Sequence, residues 1–259
     1  MKNKLNCKLI ITDLDGTLKH GDHTISQYSA ETLKKCREMG ILVAFATARA
    51  ERNATEFINQ VNPDIVISNG GSLVKYHGSP IFKKQLCPDI STKIIQECLS
   101  ATNNECQITV ETDDAHYWNS KLPPMEKGYE DVVYTDFSDF NQATYKITAE
   151  LFDHDLPKII AQKFPECETL SYRNSHWHRF AAKNADKQVA ITKLCEYLNI
   201  ELESVAAFGD DINDKSMIEC VGIGVAMGNA VDEVKSIAKF VTNSNEDDGV
   251  ARFIEEYIL

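Results

Sequence analysis

Basic residues are scarce in this sequence: 27 lysines and arginines stand against 39 aspartates and glutamates, which gives a formal net charge of −12. An acidic surface of this kind repels nucleic acid and anionic lipid, so neither is an expected partner. No apolar run is long enough to cross a bilayer, and the apolar segment before Asp13 is too short for a signal peptide. We therefore expect a cytoplasmic protein without a nucleic-acid or membrane partner.

The eight cysteines do not form a C-x-x-C motif, because no two of them have that spacing. Several fall at apolar positions of predicted elements, which favours reduced, buried thiols over a disulfide framework or a zinc site. Low-complexity tracts and repeats of fixed period are also absent. The 259 residues suffice for one large domain or for a core domain with an insert. Nothing in the sequence indicates an oligomeric state.

Strand-like and helix-like segments alternate before residue 85 and again after residue 183. Short apolar runs suit fully buried strands, and the segments between them carry apolar residues at helical spacing. The predicted strands are Lys8–Thr12, Ile41–Ala46, Ile65–Ser68, Val205–Phe208, Gly222–Ala226 and Phe240–Thr242, with a hairpin at Leu73–Tyr76 and Ile81–Lys84, and the first two predicted helices are Ser29–Met39 and Ala50–Val61. This alternation predicts an α/β fold with a doubly wound parallel sheet, built from residues 1–84 and 184–259.

The middle of the chain, residues 85–183, has a different pattern. A helix-like segment around Ile94 and Ile95 precedes several strand-like runs and a second helix near Pro157–Phe164. The strand-like runs are Cys106–Glu111, Tyr145–Leu151, Thr169–Tyr172 and Trp177–Ala181. The stretch Asn119–Gln142, which contains Pro123-Pro124, is polar and has no clear period. We interpret residues 85–183 as an α+β domain inserted between the two halves of the sheet domain.

The strongest local signal is the run D-L-D-G-T at Asp13–Thr17, directly after a predicted buried strand. Ligands of open α/β sheets bind at the carboxyl ends of strands, so a site is expected at this position. Asp13 and Asp15 can face one pocket and hold a hard divalent cation through oxygen ligands. One carboxylate can then attack phosphorus while the other serves as acid and base. The alternative is a turn with a capping aspartate, because Asp-Gly is common in turns.

A second acidic run, D-D-I-N-D at Asp210–Asp214, also follows an apolar strand. Four polar acceptors in five residues at a strand end are typical of metal ligation with supporting hydrogen bonds. An aspartate that caps a solvated helix start is the alternative, and Asp214 suits that role.

Two single residues complete a set suited to phosphoryl transfer, which depends mostly on positioning and charge neutralisation. Thr47, at the end of the second predicted strand, offers a hydroxyl and nearby backbone N–H groups to phosphate oxygens. Lys187, at the start of the helix after the insert, can supply a compensating cation. Lysine and arginine are usually solvated, so Lys187 and Arg49 take such roles only if the fold places them there.

These four motifs, in this order, resemble those of the haloacid dehalogenase-like (HAD) phosphatases. The matching segments are D-x-D-G-T at Asp13–Thr17, the threonine at Thr47, the lysine at Lys187 and G-D-x-x-N-D at Gly209–Asp214. The chain is similar to Cof-type members of the family. The resemblance implies a Rossmann-like HAD core, with the insert as a large α/β (C2B-type) cap that selects the substrate.

The resemblance also implies a role for each matching residue. Asp13 would be the nucleophile, and Asp15 would protonate the leaving group and then activate water. The implied phosphate-binding residues are Leu14, Thr47, Ala48, Lys187 and Asn213, and the implied Mg²⁺ ligands are Asp13, Asp15 through its backbone carbonyl, Asp210 and, in support, Asp214. The implied activity is Mg²⁺-dependent hydrolysis of small phosphorylated metabolites such as sugar phosphates, through an aspartyl-phosphate intermediate.

Two other functions stay open. A phosphomutase or phosphotransferase acting on sugar phosphates would share the motifs, but it needs a second phosphate site, and the insert offers only Arg173 and Arg179 beside scattered lysines. A catalytically silent regulatory binding protein would be expected to lack a motif carboxylate, and none is missing. Candidate substrate contacts in the insert are Asp113, Asp114, His116, His176, Trp177, His178 and Arg179. His176 and His178 share one strand face, but with no third ligand we expect no second metal.

Overall fold

The computed structural model describes residues 4–121, 131–173 and 175–259, and the chain divides into two compact units. The core unit consists of Met1–Phe82 and Asp186–Leu259, and the insert unit consists of Lys83–Ala185. The sequence-based boundaries fall after residues 84 and 183. The contacts between residues in the structure divide the chain after residues 82 and 185 instead.

Strands and helices alternate along most of the chain. The strands are β1 (Leu9–Thr12), β2 (Leu42–Ala46), β3 (Ile65–Ser68), β4 (Leu73–Tyr76), β5 (Ser79–Lys83), β6 (Ile108–Glu111), β7 (His116–Trp118), β8 (Val132–Tyr134), β9 (Lys146–Glu150), β10 (Cys167–Ser171), β11 (Trp177–Ala182), β12 (Val205–Gly209), β13 (Ile223–Ala226) and β14 (Phe240–Val241). The α-helices are α1 (Gln27–Glu38), α2 (Thr55–Val61), α3 (Pro88–Ala101), α4 (Leu156–Gln162), α5 (Lys187–Leu198), α6 (Lys215–Cys220), α7 (Asp232–Lys235) and α8 (Gly249–Tyr257).

The sheet of the core unit has the strand order β14-β13-β12-β1-β2-β3-β4-β5. The strands from β14 to β3 run parallel, and β4 returns antiparallel to β3. Every residue of β1 is buried, as expected for a central strand that is covered on both faces. Ile10 packs in one apolar layer, while Leu9 and Ile11 pack in the other. The predicted α/β, doubly wound architecture is therefore confirmed.

Helix α5 begins at Lys187, and its buried apolar face begins three residues later, at Ala190. The side chain of Asp186 caps it by accepting a hydrogen bond from the backbone N–H of Val189 at 2.9 Å. An N-cap carboxylate satisfies one of the orphan N–H groups of the first turn, so the polar approach to Lys187 is what starts the helix. The cap also fixes the direction in which the Lys187 side chain leaves the helix.

The insert unit has a six-stranded sheet in the order β10-β11-β9-β6-β7-β8, with its own apolar core that includes Ile94, Ile147 and Phe180. The predicted strands at β6, β9, β10 and β11 are present, but β7 and β8 were not predicted. Each has only three residues, too few to show an alternating pattern. The polar stretch Asn119–Gln142, which has no clear period, contains β8, and Pro123-Pro124 lies outside the described residues.

The predicted helix Ala50–Val61 is split in two. It begins as a 3₁₀ turn at Glu51–Ala54 and becomes α-helical only at Thr55. The Thr55 hydroxyl donates to the backbone carbonyl of Arg52 at 2.8 Å, a local bond that competes with regular helix pairing. Within the described parts of the chain, no helix has both the length and the apolar character needed to cross a membrane.

Candidate active site

Asp13 stands at the carboxyl end of β1, the central strand of the core sheet. Its backbone N–H donates to the carbonyl of Phe208 in β12 at 3.0 Å, so the strand pairing holds the residue up to the point where the chain leaves the sheet. The residue is 7% exposed. Burial raises the pKa of the Asp13 carboxyl, and the adjacent Lys187 ammonium acts in the opposite direction.

Lys187 joins the two acidic motifs. Its Nζ donates to Oδ1 of Asp13 and to Oδ1 of Asp214, both at 2.6 Å. Burial disfavours the charged form of Lys187, but the carboxylates of Asp13 and Asp214 outweigh burial and raise its pKa. The residue therefore supplies a permanent positive charge at the carboxyl ends of β1 and β12, as the sequence required of it.

Three carboxylates crowd around this lysine. Asp13, Asp210 and Asp214 each offer an oxygen, and these atoms all lie within 4.8 Å of one another. Burial raises the pKa of Asp210 to about 7, helped by the nearby charges of Asp214 and Asp211 and opposed by a hydrogen bond from Thr17. Proximity to other carboxylates makes ionisation costly, and a bound cation removes that cost.

Asp214 is fixed from both sides. Its Oδ2 accepts hydrogen bonds from the backbone N–H groups of Asp210 at 3.0 Å and Asp211 at 3.2 Å. Together with Asp211 it forms a reciprocal capping box at the turn Ile212–Asp214. Asp211 is the N-cap of this turn and Asp214 is the third residue of the box, and the remaining oxygen of Asp214 accepts the hydrogen bond from Lys187.

The donor set fits a hard divalent cation such as Mg²⁺, which binds carboxylate and carbonyl oxygens. Gly16, with φ +75°, keeps the approach to Asp210 open: a Cβ at this position would lie 2.5 Å from Asp210 Oδ2. The Thr17 hydroxyl donates to the other oxygen, Oδ1, at 2.7 Å and orients the carboxylate. The residues that would hold the ion are Asp13 and Asp210, with Asp214 supporting them.

Asp15 is separate from the acidic cluster and is bound by cations. Arg49 Nε donates to Oδ2 at 2.7 Å and its NH2 group to Oδ1 at 2.9 Å, and Lys19 Nζ donates to Oδ1 at 2.7 Å. Partial burial acts to raise the pKa of Asp15, but Arg49 and Lys19 outweigh it and lower the pKa to about 2. The pKa values of the two aspartates of the first motif are therefore shifted in opposite directions, upward for Asp13 and downward for Asp15.

Thr47 begins the loop after β2 and is buried to 1% exposure. Its Oγ1 accepts a hydrogen bond from the Arg49 backbone N–H at 3.1 Å, which leaves the hydroxyl hydrogen to donate to an anion. The loops after β2 and β3 are tied together, because Gly70 N–H donates to the Thr47 carbonyl at 2.9 Å. This arrangement also brings Arg49 to Asp15.

Three further predicted phosphate-binding residues are Leu14, Ala48 and Asn213. Leu14 is fully buried and its side chain packs in the apolar core. Ala48 follows Thr47 in the loop, and Asn213 is half-buried in the turn Ile212–Asp214. Their contribution to phosphate binding stays a prediction.

The predicted substrate contacts of the insert unit are partly engaged elsewhere. Both ring nitrogens of His178 have partners, the Ser171 hydroxyl at 2.8 Å and the Leu151 carbonyl at 3.0 Å. Arg179 NH2 donates to the carbonyl of Ala185 at 2.5 Å, and Asp113 binds Lys83. Asp114, His116, His176 and Trp177 are likewise described, and their role as substrate contacts stays a prediction.

Comparison with known proteins agrees with this geometry. Residues 10–254 match the family of haloacid dehalogenase-like hydrolases. The chain belongs to this family. The predicted recognition as a Cof-type HAD phosphatase is confirmed by its relatives, which are named as phosphatases.

Two curated HAD relatives align over nearly the whole chain. The 5-amino-6-(5-phospho-D-ribitylamino)uracil phosphatase YitU of Bacillus subtilis is 29% identical, over 96% of this chain and 97% of its own. The pyridoxal phosphate phosphatase YbhA of Escherichia coli is 29% identical, over 98% of this chain and its full length. A crystal structure of a haloacid dehalogenase-like hydrolase from Bacteroides thetaiotaomicron superposes with a TM-score of 0.84 at 25% identity, covering 96% of this chain and 99% of that one.

Three residues of this HAD site were missed or undervalued from the sequence. Thr17 orients Asp210, Lys19 binds Asp15, and Arg49, a residue type that is usually solvated, binds Asp15 through two nitrogens. Thr17 lies inside the first motif, where a hydroxyl next to two aspartates was a usable signal. Lys19 and Arg49 gave no such signal, because a lone cation in a polar segment is usually solvated.

Proposed function

We propose that the protein is a cytoplasmic, Mg²⁺-dependent phosphatase of small phosphorylated metabolites, with sugar phosphates as the favoured class, and that it acts through a phosphoryl group carried on Asp13. The observation that supports this most strongly is the bridge from Lys187 to Asp13 and Asp214 beside Asp210. It combines a nucleophile, a fixed cation and an oxygen-rich metal site at the carboxyl ends of the neighbouring strands β1 and β12. The eight free thiols suit a reducing compartment.

In the first step, an oxygen of Asp13 attacks phosphorus of the monoester. The bond from phosphorus to the ester oxygen breaks as the new bond to Asp13 forms. The leaving oxygen takes a proton from Asp15 and departs as the alcohol. Lys187 neutralises charge on Asp13 and the phosphoryl group, and Thr47 donates a hydrogen bond to a phosphoryl oxygen.

In the second step, water attacks the phosphorus of the aspartyl-phosphate. Asp15 accepts the water proton as general base, the bond between Asp13 and phosphorus breaks, and inorganic phosphate leaves. Asp15 suits this step because its carboxylate is held in the ionised form by Arg49 and Lys19. For the first step it must arrive protonated, which the negative charge of a bound phosphate ester favours.

When bound, Mg²⁺ would neutralise charge on the attacking carboxylate and on the transferring phosphoryl oxygens. The residues that would hold it are Asp13 and Asp210, the backbone carbonyl of Asp15, and Asp214 in support.

The substrate proposal draws on the two curated relatives, each of which is named for a phosphorylated metabolite. The insert unit is the proposed cap that selects among such compounds. A phosphomutase is the weaker alternative, since one of the two insert arginines considered for a second phosphate site, Arg179, already donates to the Ala185 carbonyl. A silent binding protein is weaker still, because all motif carboxylates are present.

The test is a turnover screen over phosphorylated metabolites and p-nitrophenyl phosphate, with and without Mg²⁺. We expect hydrolysis with Mg²⁺, loss of hydrolysis in excess EDTA, and recovery when Mg²⁺ is restored. Asp13→Asn should abolish turnover, whereas Asp232→Asn, an exposed aspartate in the first turn of α7, should leave it unchanged. Turnover that survives in Asp13→Asn, or is indifferent to EDTA, would contradict the proposal.

A further inference from the structure

Lys19 is a buried lysine in the core unit, and the mechanism above gives it only an electrostatic effect on Asp15. Its side chain is 2% exposed, and its Nζ lies 4.6 Å from the centre of the Phe57 ring and 2.7 Å from Asp15 Oδ1. Removing an ammonium group from water is costly unless a carboxylate or an aromatic face replaces the lost hydration. A methionine would fill the same space without that cost, so packing alone does not account for a lysine here.

The backbone of Lys19 is held at both of its polar groups. Its N–H donates to the Leu14 carbonyl at 2.9 Å, which closes the π-helical turn Leu14–Leu18. Its carbonyl accepts a hydrogen bond from Asn245 Nδ2 at 2.8 Å. The stem of the side chain therefore starts from a fixed point, and its ammonium cannot follow Asp15 through backbone movement.

A second asparagine ties down the other part of this turn. Asn229 Nδ2 donates to the Gly16 carbonyl at 2.8 Å, and Asn229 Oδ1 accepts from the backbone N–H of Asn245 at 3.0 Å. The two asparagines thus hold the carbonyl of Gly16, inside the turn that carries Asp15, and the carbonyl of Lys19, directly after that turn. Asp15 and Lys19 are consequently presented to each other by one rigid loop.

The hydrogen bonds divide the two oxygens of Asp15 unequally. Within the described part of the chain, Oδ1 accepts from Lys19 and from Arg49 NH2, while Oδ2 accepts only from Arg49 Nε. A carboxylate has about four acceptor positions, two on each oxygen, so the remaining position is on Oδ2. Arg49 alone would engage both oxygens equally, and the lysine creates the asymmetry.

We propose that Lys19 is a positioning residue for Asp15. Its ammonium group occupies Oδ1 of Asp15 and leaves Oδ2 as the atom that exchanges the proton. This inference rests on the proposed phosphatase function. Its consequence is sharpest in the hydrolysis of the aspartyl-phosphate, where Asp15 Oδ2 has to accept a proton from water as water attacks phosphorus. Without Lys19, the Asp15 carboxylate can rotate and form a different set of hydrogen bonds with Arg49, so Oδ2 is no longer held in place.

The test compares wild-type protein with Lys19→Met, using p-nitrophenyl phosphate and Mg²⁺. The p-nitrophenolate ion leaves without being protonated, so kcat/KM for this ester reports transfer to Asp13 without a demand on Asp15. In contrast, kcat includes the hydrolysis of the aspartyl-phosphate, which needs Asp15 as base. We expect kcat to fall about 10- to 100-fold and kcat/KM to stay within about threefold, because misplacing a catalytic group by 1 Å costs about this much.

Two further readouts separate positioning from a structural role. In Lys19→Met the phosphorylated protein should accumulate, seen as a burst of p-nitrophenol and as acid-trapped phosphoprotein. Lys19→Gln, a neutral hydrogen-bond donor, should recover part of kcat. Lys34→Met, which removes a lysine that is 71% exposed on α1, should behave like wild type.

A parallel fall of kcat and kcat/KM without accumulated phosphoprotein would overturn the proposal, as would unchanged kcat. Loss of the fold in both Lys19 variants, seen by circular dichroism, would show that Lys19 is a structural residue and would also overturn it. Absence of Mg²⁺-dependent turnover in the wild-type protein would instead refute the proposed function, so the two failures are distinguishable.

Discussion

Substituting Gly16 by alanine tests the geometry of the metal site with a single methyl group. Gly16 has φ +75°, and a Cβ there would lie 2.5 Å from Asp210 Oδ2 and 2.9 Å from its Cγ. Gly78, in the β4–β5 hairpin, has φ +79° and nothing within 4 Å of the added Cβ. Gly78→Ala is therefore a matched control that carries the backbone strain without the contact.

Both substitutions strain the backbone, and Gly16→Ala alone also introduces a steric contact with Asp210. A left-handed backbone at a non-glycine residue costs roughly 1–2 kcal/mol, which lowers the unfolding temperature by about 3–6 °C for a protein of this size. At Gly16 the Asp210 carboxylate must also retreat from 2.5 Å to about 3.4 Å, the onset of ordinary contact. A displacement near 1 Å at a catalytic group costs about 100-fold in rate.

The assay measures p-nitrophenyl phosphate turnover over a range of Mg²⁺ concentrations, Mg²⁺ binding by calorimetry, and unfolding by differential scanning fluorimetry. Gly78→Ala should lose only stability. Gly16→Ala should show a similar loss of stability, together with weaker Mg²⁺ binding and turnover reduced about 100-fold. Gly16→Ala with Mg²⁺ affinity and turnover equal to those of Gly78→Ala would refute the placement of Asp210 in the metal site.

Two further predictions concern ion pairs away from the metal site. Arg37 binds the buried carboxylate of Asp64 with three hydrogen bonds, so Arg37→Met should lower the free energy of unfolding by about 2 kcal/mol in urea titrations. Lys34→Met, which removes an exposed lysine of the same helix, should change it by less than about 0.5 kcal/mol. Equal effects of the two substitutions would contradict the assigned role of Arg37. At Asp248, partial burial is outweighed by hydrogen bonds from Ser26, Ser29 and His20, which lower the pKa of that carboxyl. A lowered folded-state pKa gives stability that is present above the unfolded value of about 3.9 and is lost as pH falls through the folded value. Asp248→Asn should thus cost about 0.5–1 kcal/mol at pH 7, after allowance for solvent screening, and the deficit should vanish in acid; a deficit that is constant with pH would contradict this account.

The central strands of the core sheet were predictable because they are buried on both faces. A central parallel strand such as β1 is a continuous apolar run, because helices cover both faces of its sheet, and such runs are visible without structural information. The strands β7 and β8 are three residues long and incompletely buried, so no periodicity marks them. Their pairing depends on the neighbouring strands of the insert sheet rather than on their own sequence.

The site divides in a similar way. Asp13, Lys187 and Asp210 were predicted because each stands where a strand ends or a helix begins, a position that restricts its possible role. The contacts that orient Asp15 were not predicted. Lys19 is four residues from Asp15, a spacing at which side chains meet on a helix, but no helical turn was predicted directly after β1. Arg49 reaches Asp15 from 34 residues away.

The central claim is that the phosphoryl group is carried covalently on Asp13. Its most direct test is to acid-quench the wild-type protein during turnover of a phosphate ester with Mg²⁺ and to locate the phosphoryl group by peptide mass spectrometry. The account predicts an acid-trapped phosphoryl group on the peptide that contains Asp13, and none in Asp13→Asn. A phosphoryl group on another residue, or turnover in Asp13→Asn without any phosphoprotein, would contradict it.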